Sequence, residues 1–579
     1  MISRRKVAGL PRKVFIALGA PVPALAAALL LACAGGCPAR GGDVDVVFAA
    51  DQLGFLAPCG CSQHQLGGAA RAAAAIDQIA VAGPTLFLEG GNLLFNVPGT
   101  PPGEPPREPP GQPDDKKAQD RAKAEALVSE WRLGLGHVRG SVWASGPFDD
   151  ALGADFRDAT LSVARQAAGA AAPGDSRLLQ GDSRLLQAGG LKVGVIFVSA
   201  PAQDRAAADS LRAQGANAVL ALVQGPFSTA GDWAARAGAD LALQSGVVDP
   251  VSDTEEAASS GGAVPVFRVK DKGRGLLVFH LHVPAGAKPG LVVLEGSEAR
   301  RARAAALSAI LASDEQRLAG LPQGPLGAST IGASTKGTGA GAGAQTGGGS
   351  GSGAGEESGR ELKDLLGRKI AELTLRRQAL EGPPPPPPAD RASLSYRFVA
   401  LSEDLPESPA ATALFRDYTA ATGKANLAAQ AQKTCPAPPP GALHYAGVAS
   451  CKDCHPQAFE VYAGTGHVHA YQKLVDKGRQ YDLDCIGCHV VGYGKPGGVC
   501  RLDRVSGLDN VQCESCHGMG SAHAESGGDT AMPNAKPGYD TCLQCHNPDN
   551  DTGFNRERFV SHYLPLVLGP GHGRPAAKR

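Results

Sequence analysis

The sequence predicts a multidomain chain: an α/β sandwich, a helical stalk with linkers, and a mainly α and irregular C-terminal domain. Three observations carry this. Short Val- and Ile-rich runs alternate with helical stretches between residues 43 and 296. Gly-, Ser- and Pro-rich segments interrupt residues 297–434. Within residues 435–579 one five-residue pattern, Cys-x-x-Cys-His, occurs four times. At 579 residues the chain exceeds what a single ordinary core can hold. Lys plus Arg equals Asp plus Glu at 56 each, so no overall field points to nucleic acid as a partner.

Residues 1–37 carry Arg4, Arg5, Lys6, Arg12 and Lys13 ahead of the apolar run Ala24–Ala32. A basic segment followed by a short apolar one reads as a secretory signal rather than a spanning helix. Leu30-Leu31-Ala32-Cys33 resembles a bacterial lipobox, which implies lipidation of Cys33 and a periplasmic or cell-envelope protein anchored to a bacterial membrane. Cys37 is the alternative cleavage site.

In the α/β region, strands are expected at Val44–Ala49, Thr85–Leu88, Leu191–Val198, Ala218–Val223, Ala263–Val269 and Leu276–Val283. Helices are expected at about Gly68–Ile79, Ala118–Leu133 and Ala206–Gln214. The alternation favours a mixed sheet covered on both faces. Pro98–Pro113 reads as an exposed, extended insertion. Gly174–Gln180 and Gly181–Gln187 are a tandem copy that reads as a loop duplication.

This order of elements resembles the metallophosphoesterase domain of the secreted 5′-nucleotidases over about residues 43–285. The resemblance implies a two-metal site, and the residues depart from it. Asp51-Gln52-Leu53 stands where the family has Asp-x-His, and Asn92 where a carboxylate ligand belongs. Gly146-Pro147-Phe148-Asp149 lacks the Asn-His pair, Gln224 replaces a lone His, and Ser245-Gly246-Val247-Val248 replaces the last motif. Asp51 alone cannot hold two ions and acidify a water, so the expectation is a scaffold whose hydrolytic chemistry has been removed. Pro58-Cys59-Gly60-Cys61, with His64 and Gly67-Gly68, is similar to a nucleotidase-like subgroup with paired thiols. Cys59 and Cys61 form either a redox dithiol or thiolate metal site, or an inert pair oxidised outside the cytoplasm.

Glu298–Leu318 and Arg360–Leu380 read as helices pairing in an antiparallel stalk around the Gly-rich tether Gly324–Gly359. Pro383–Pro388 is a stiff spacer. Ser393–Leu401 alternates like a strand, and Pro409–Thr422 reads as a helix leading onward. Cys435 and Cys500 are the two cysteines of the last domain outside the repeated motif, and a disulfide between them is expected.

The repeats are Cys451, Cys454 and His455; Cys485, Cys488 and His489; Cys513, Cys516 and His517; and Cys542, Cys545 and His546. This pattern attaches c-type haem: two thiols form thioethers to one porphyrin and the following His becomes the proximal iron ligand. Structural zinc has no need of a His after every second Cys, and a thioredoxin-like pair needs one motif rather than four. Four covalent haems in so short a domain must themselves form its core.

His444-Tyr445-Ala446-Gly447, Thr465-Gly466-His467-Val468-His469-Ala470 and the run Cys513–His523 resemble the cytochrome c-554 group of tetrahaem cytochromes. The resemblance implies bis-histidine haems and electron transfer, with one haem left open in some members. Six further histidines remain: His444, His467, His469, His523, His562 and His572. Met519 and Met532 could supply a thioether, so most distal ligands are expected to be His. His467 is the first candidate, followed by His523 and His562. His469 divides evenly between ligand and surface, and His572 lies in a Gly-rich tail. His137, His280 and His282 read as ordinary surface or sheet residues.

The expected function is extracytoplasmic electron transfer, with the N-terminal domain as a docking or thiol-redox module. Expected partners are redox proteins or a quinone-linked membrane complex. The alternative is a haem enzyme acting on a small nitrogen or sulfur compound at a five-coordinate iron.

Overall fold

A computed structural model describes residues 41–58, 66–96, 114–165, 177–178, 182–201, 204–246, 258–259, 264–295, 297–319, 353–382, 386–547, 550–551 and 554–568. Cys33, Cys37, Cys59, Cys61, His64, His572 and residues 324–352 of the Gly-rich tether lie outside these residues, as does the side chain of His562, while residues 353–359, expected in the tether, are helical.

The N-terminal half is built from two sheets. One orders its strands β12-β13-β11-β1-β2-β3-β4 and the other β5-β6-β7-β8-β10-β9. Their ranges are β1 Gly42–Ala49, β2 Thr85–Glu89, β3 Gly140–Ala144, β4 Arg177–Leu178, β5 Ser183–Ala188, β6 Leu191–Val198, β7 Ala218–Gln224, β8 Leu241–Ser245, β9 Ala258–Ser259, β10 Val266–Phe267, β11 Gly275–Val283, β12 Lys288–Glu295 and β13 Arg391–Ala400. Side chains alternate across a strand, and the two sheets use this to share one core. Val44, Val46 and Phe48 of β1 meet Val193, Val195 and Phe197 of β6 and Leu220 and Leu222 of β7 in one buried cluster.

The opposite face of the first sheet packs Val47, Ala49 and Phe87 on helices α1 (Ala69–Ala82) and α2 (Asp114–Leu133), through Ile76, Leu127 and Trp131. Helix α3 (Ala154–Arg165) adds Leu161 to the same cluster. The outer face of the second sheet packs on α4 (Ala206–Ala213) and α5 (Phe227–Arg236) through Leu211, Ala230 and Ala234. The result is four layers, helix–sheet–sheet–helix, the mixed sheets expected from alternating strands and helices.

The expected boundary at residue 296 is corrected. The strand read at Ser393–Leu401 was assigned to the linker region, but β13 lies inside the first sheet, antiparallel to β11 and parallel to β12. Its inward side chains Ala392, Leu394 and Tyr396 are buried. Two parallel neighbours need a crossover, and the helical hairpin of α6 (Ser297–Ala319) and α7 (Gly353–Glu381) provides it. Lys369 reaches buried Asp314 across that hairpin at 2.9 Å. The stalk is therefore an excursion from the sheet rather than a spacer between domains. Ala263–Val269 also shortens to the two residues of β10.

Helix α8 (Pro409–Gln430) starts at Ser408, whose hydroxyl accepts from Ala411 N–H, with Pro409 in the first turn, where its missing N–H costs nothing. It runs beside α2 and carries the chain into the C-terminal region, where helices are short: α9 Ala449–Lys452, α10 Pro456–Ala463, α11 Ala470–Asp476, α12 Leu483–His489, α13 Cys513–His517, α14 Ser521–Glu525 and α15 Tyr539–Cys542. The expected Cys435–Cys500 disulfide is present. Among the described residues no helix is long and apolar enough to cross a membrane.

Candidate haem centres

The C-terminal region has little apolar core of its own. Among the described residues an aliphatic cluster centres on Ile486, Val490, Val499 and Leu502, and Phe554 and Phe559 pack with Tyr539, while Leu443, Val475, Val560 and Leu566 stay exposed. What organises it is polar. Glu514, inside the third motif and buried, accepts from Ala446 N–H at 2.9 Å, Gly447 N–H at 2.8 Å and Gly520 N–H at 2.6 Å. Gln512 accepts from Val448 N–H at 2.8 Å and donates to the carbonyls of Gly507 and Asp509. Hydrogen bonds to a carboxylate are roughly twice as strong as neutral ones, so these two residues clamp the approach to the first motif onto the third.

The four motifs are neighbours in space. The thiol of Cys451 neighbours that of Cys513, that of Cys488 neighbours that of Cys545, and Cys516 feels the charge of Cys542. The spatial order is first, third, fourth, second. The eight motif cysteines are the free cysteines among the described residues.

Five imidazoles, those of His444, His489, His517, His523 and His546, are held through Nδ1. Backbone carbonyls only accept, so each ring nitrogen facing one carries the proton. Nδ1–H of His489 donates to Ala470 O, that of His517 to Asn534 O at 3.0 Å and that of His523 to Thr530 O at 2.6 Å. His546 Nδ1 meets the carboxylate of buried Asp551 at 2.9 Å. Fixing Nδ1 this way leaves the Nε2 lone pair to bind metal, the second-shell arrangement of metal-ligating histidines. His444 is held in the same sense by Ala442 O at 3.1 Å.

Two imidazoles bound on opposite sides of one metal, each through a bond of about 2.0 Å, have centroids about 6.2 Å apart. His455 and His523 stack with centroids 6.0 Å apart, and His467 and His546 lie 6.1 Å apart. Both spacings fit an iron between each pair. Residues 450–518 match the family described as cytochrome c554 and c-prime.

The cytochrome c-554 of Nitrosomonas europaea is 31% identical over 134 residues, which cover 18% of this chain and 57% of that protein. The match thus spans just over half of its relative's length. Both matches fall in the C-terminal region that holds the four Cys-x-x-Cys-His motifs. The N-terminal half is similar to sulfate thiohydrolase SoxB of Thermus thermophilus, at 17% identity and a TM-score of 0.29 over 41% of this chain and 53% of that one. It is also similar to the calcineurin-like phosphoesterase YfkN of Bacillus subtilis, at 16% and 0.29 over 42% and 86%. TM-scores this low add nothing to what the two sheets show by themselves.

The sequence singles out the motif residues, His467 and His523 as candidates but does not pair them. His469 is exposed at the start of α11. Glu514, Gln512 and Asp551 were missed; the one available signal was an acidic residue between the two cysteines of the third motif.

At the phosphoesterase-like position the fold brings Asp51, Asn92, Asp149, Gln224 and Ser245 together. Asn92 Nδ2 donates to Asp51 at 2.8 Å and Gly246 N–H to both its oxygens at 3.1 Å. Asp149 accepts from Asn92, Leu94 and Gly146 N–H. Gln224 donates to Gly90 O and Ser145 O, and Ser245 to Gly90 O. Burial pushes the Asp51 carboxyl up to about 7 and that of Asp149 up to about 6. Asp51 at φ 53° and Asn92 at φ 58° keep the left-handed backbone that Asp and Asn tolerate best.

Helix α2 joins the two regions. Lys116, Gln119 and Lys123 lie on one face of it. Gln119 Nε2 donates to Asp482 at 2.8 Å, while its Oε1 accepts from Asn426 and Leu483 N–H. Lys116 and Lys123 reach Asp484 at 3.0 and 2.7 Å. Burial opposes the charge on Asp484, but the two ammonium groups outweigh it and hold the carboxyl well below its usual range.

Proposed function

We propose that this chain is a tetrahaem c-type cytochrome that transfers electrons outside the cytoplasm. The observation that carries this reading is the pair of imidazole spacings, His455–His523 and His467–His546, each beside a Cys-x-x-Cys-His motif. The thiols of Cys451 and Cys454, Cys485 and Cys488, Cys513 and Cys516, and Cys542 and Cys545 would form the thioethers. His455, His489, His517 and His546 would be the proximal ligands, with His523 opposite His455, His467 opposite His546, and His562 as a further distal ligand. When bound, haem supplies one-electron ferric–ferrous chemistry. This chain's residues would hold the four sites in the order first, third, fourth, second, and Nδ1 hydrogen bonds keep the Nε2 atoms of His489, His517, His523 and His546 aimed. The signal segment and Cys33 support an envelope location with a lipid anchor. The hydrogen bonds that Asn92 and Gly246 give Asp51, and those that occupy Gln224 and Ser245, support a phosphoesterase-like domain that does no hydrolysis and serves in docking.

Intact mass of purified protein should exceed the polypeptide by four haem groups, and EPR should show low-spin bis-His signals. Colourless protein at the polypeptide mass would end the proposal.

A second reading has its own support. Among the described residues no imidazole stacks opposite His489. A five-coordinate iron there would bind a small nitrogen or sulfur compound. A high-spin signal that nitric oxide or cyanide abolishes would establish it, and four low-spin signals would remove it.

A further inference from the structure

The N-terminal domain touches the C-terminal region at one end of the row of motifs. Helix α12 carries Cys485, Cys488 and His489, and Asp482 caps its start by accepting from Asp484 N–H at 3.0 Å. Three side chains of α2 bear on these few residues. Gln119 holds Asp482, and Lys116 and Lys123 converge on the two oxygens of Asp484, one residue before Cys485. The ion cluster is only about one-quarter exposed: the side chains of Lys116, Lys123 and Asp484 are 25, 25 and 27% accessible. Arg479 pairs with Asp482 at 2.7 Å. Charges this sheltered are screened less than surface ones.

We propose that Lys116 and Lys123 of the phosphoesterase-like domain set the reduction potential of the haem held by Cys485, Cys488 and His489. The inference rests on the tetrahaem reading. Reduction removes one positive charge from the iron centre. Cations nearby therefore disfavour the oxidised form, and an uncompensated carboxylate favours it. With both lysines in place, Asp484 is neutralised and this site takes up electrons more readily. In this way a domain that does no chemistry of its own tunes one end of the wire. The two lysines are positioning and tuning residues, since they touch Asp484 rather than the cofactor.

The test is an equilibrium redox titration of the full haem-loaded chain, followed by visible and EPR spectroscopy. In Lys116→Met/Lys123→Met, one of four transitions should move to more negative potential. The expected size is about a tenfold change in its oxidised-to-reduced ratio at fixed potential, about 59 mV for one electron. Asp484→Asn should move the same transition the opposite way, and Lys123→Arg should leave it in place. Opposite shifts from opposite charges cannot come from loosened packing. Four transitions coincident with those of the unaltered protein would overturn the proposal, as would a shift shared by all four. Absence of haem from the unaltered protein would instead defeat the underlying reading, and mass and absorbance detect that separately.

Discussion

The two halves of this chain solve the problem of a core in opposite ways. In the N-terminal half, Phe48, Phe87, Trp131, Trp143 and Phe279 are all buried between or behind two sheets. Apolar burial of this extent is the dominant favourable contribution to folding. In the C-terminal region, short helices of four to eight residues surround the Cys-x-x-Cys-His motifs, with a small aliphatic cluster. Helices that short do not persist alone. Order there comes from a disulfide, from buried Gln512 and Glu514, and, in the proposed function, from covalent porphyrins. A domain can thus be specified by where it places polar clamps and attachment points rather than by apolar periodicity.

That contrast breaks most visibly if haem is withheld. Chain produced without haem attachment should lose hydrogen-exchange protection across residues 435–568 and keep it across the two sheets. Equal protection in both halves would show that the C-terminal region folds on its own side chains.

Next in size is Phe279→Ala. Phe279 is fully buried and meets Phe267 edge-on at 5.0 Å. Truncation should cost about 3–5 kcal/mol of N-terminal stability by urea denaturation, with haem absorbance unchanged at low denaturant. A C-terminal region that melts in step would show the halves to be one cooperative unit.

Glu514→Gln sharpens the other side of the comparison. It replaces three carboxylate-accepted hydrogen bonds with neutral ones and forces an amide N–H₂ toward backbone donors. The C-terminal region should lose about 2 kcal/mol, read from the denaturation of haem absorbance. An unshifted midpoint would mean that the clamp is incidental.

The smallest effect concerns pH. Asp51 is held at about 7 by burial, against 3.8 for its ordinary value. The folded state keeps the proton longer, so this contribution is fully present below about pH 4 and is lost as pH rises through about 7. Asp51→Asn should flatten that decline and leave the N-terminal half about 1 kcal/mol more stable at pH 8. Asp149 keeps part of the slope. A variant that loses stability at every pH would show that the Asp51 carboxylate holds the loop together even when charged.

Legibility followed the range of the interactions. Strand β6 was readable residue for residue, because Leu191–Val198 is a long Val-rich run. Strand β8, Leu-Ala-Leu-Gln-Ser, was not: five residues with two leucines and an alanine suit a helix as well as a strand. Strand β13 was legible as a strand but not as part of the sheet, because a Pro-rich spacer precedes it and its partners lie across a helical hairpin. In the C-terminal region His467 stood out as a candidate ligand, yet nothing in its neighbourhood names His546, whose position depends on the fourth motif folding back. Glu514 and Asp551 act through partners that only the fold brings near.

By itself the sequence supplies the four Cys-x-x-Cys-His motifs from which haem attachment is proposed, because that pattern needs only five consecutive residues. It also shows Asn92, Gln224 and Ser245 where the resemblance would place metal ligands, which is a matter of residue type at each position. Tertiary structure alone decided which imidazoles face each other, the order of the four motifs, and the meeting of Lys116 and Lys123 with Asp484. Those are contacts between segments distant in the chain, and loop closure, hydrogen-bond geometry and burial settle them together rather than any local pattern.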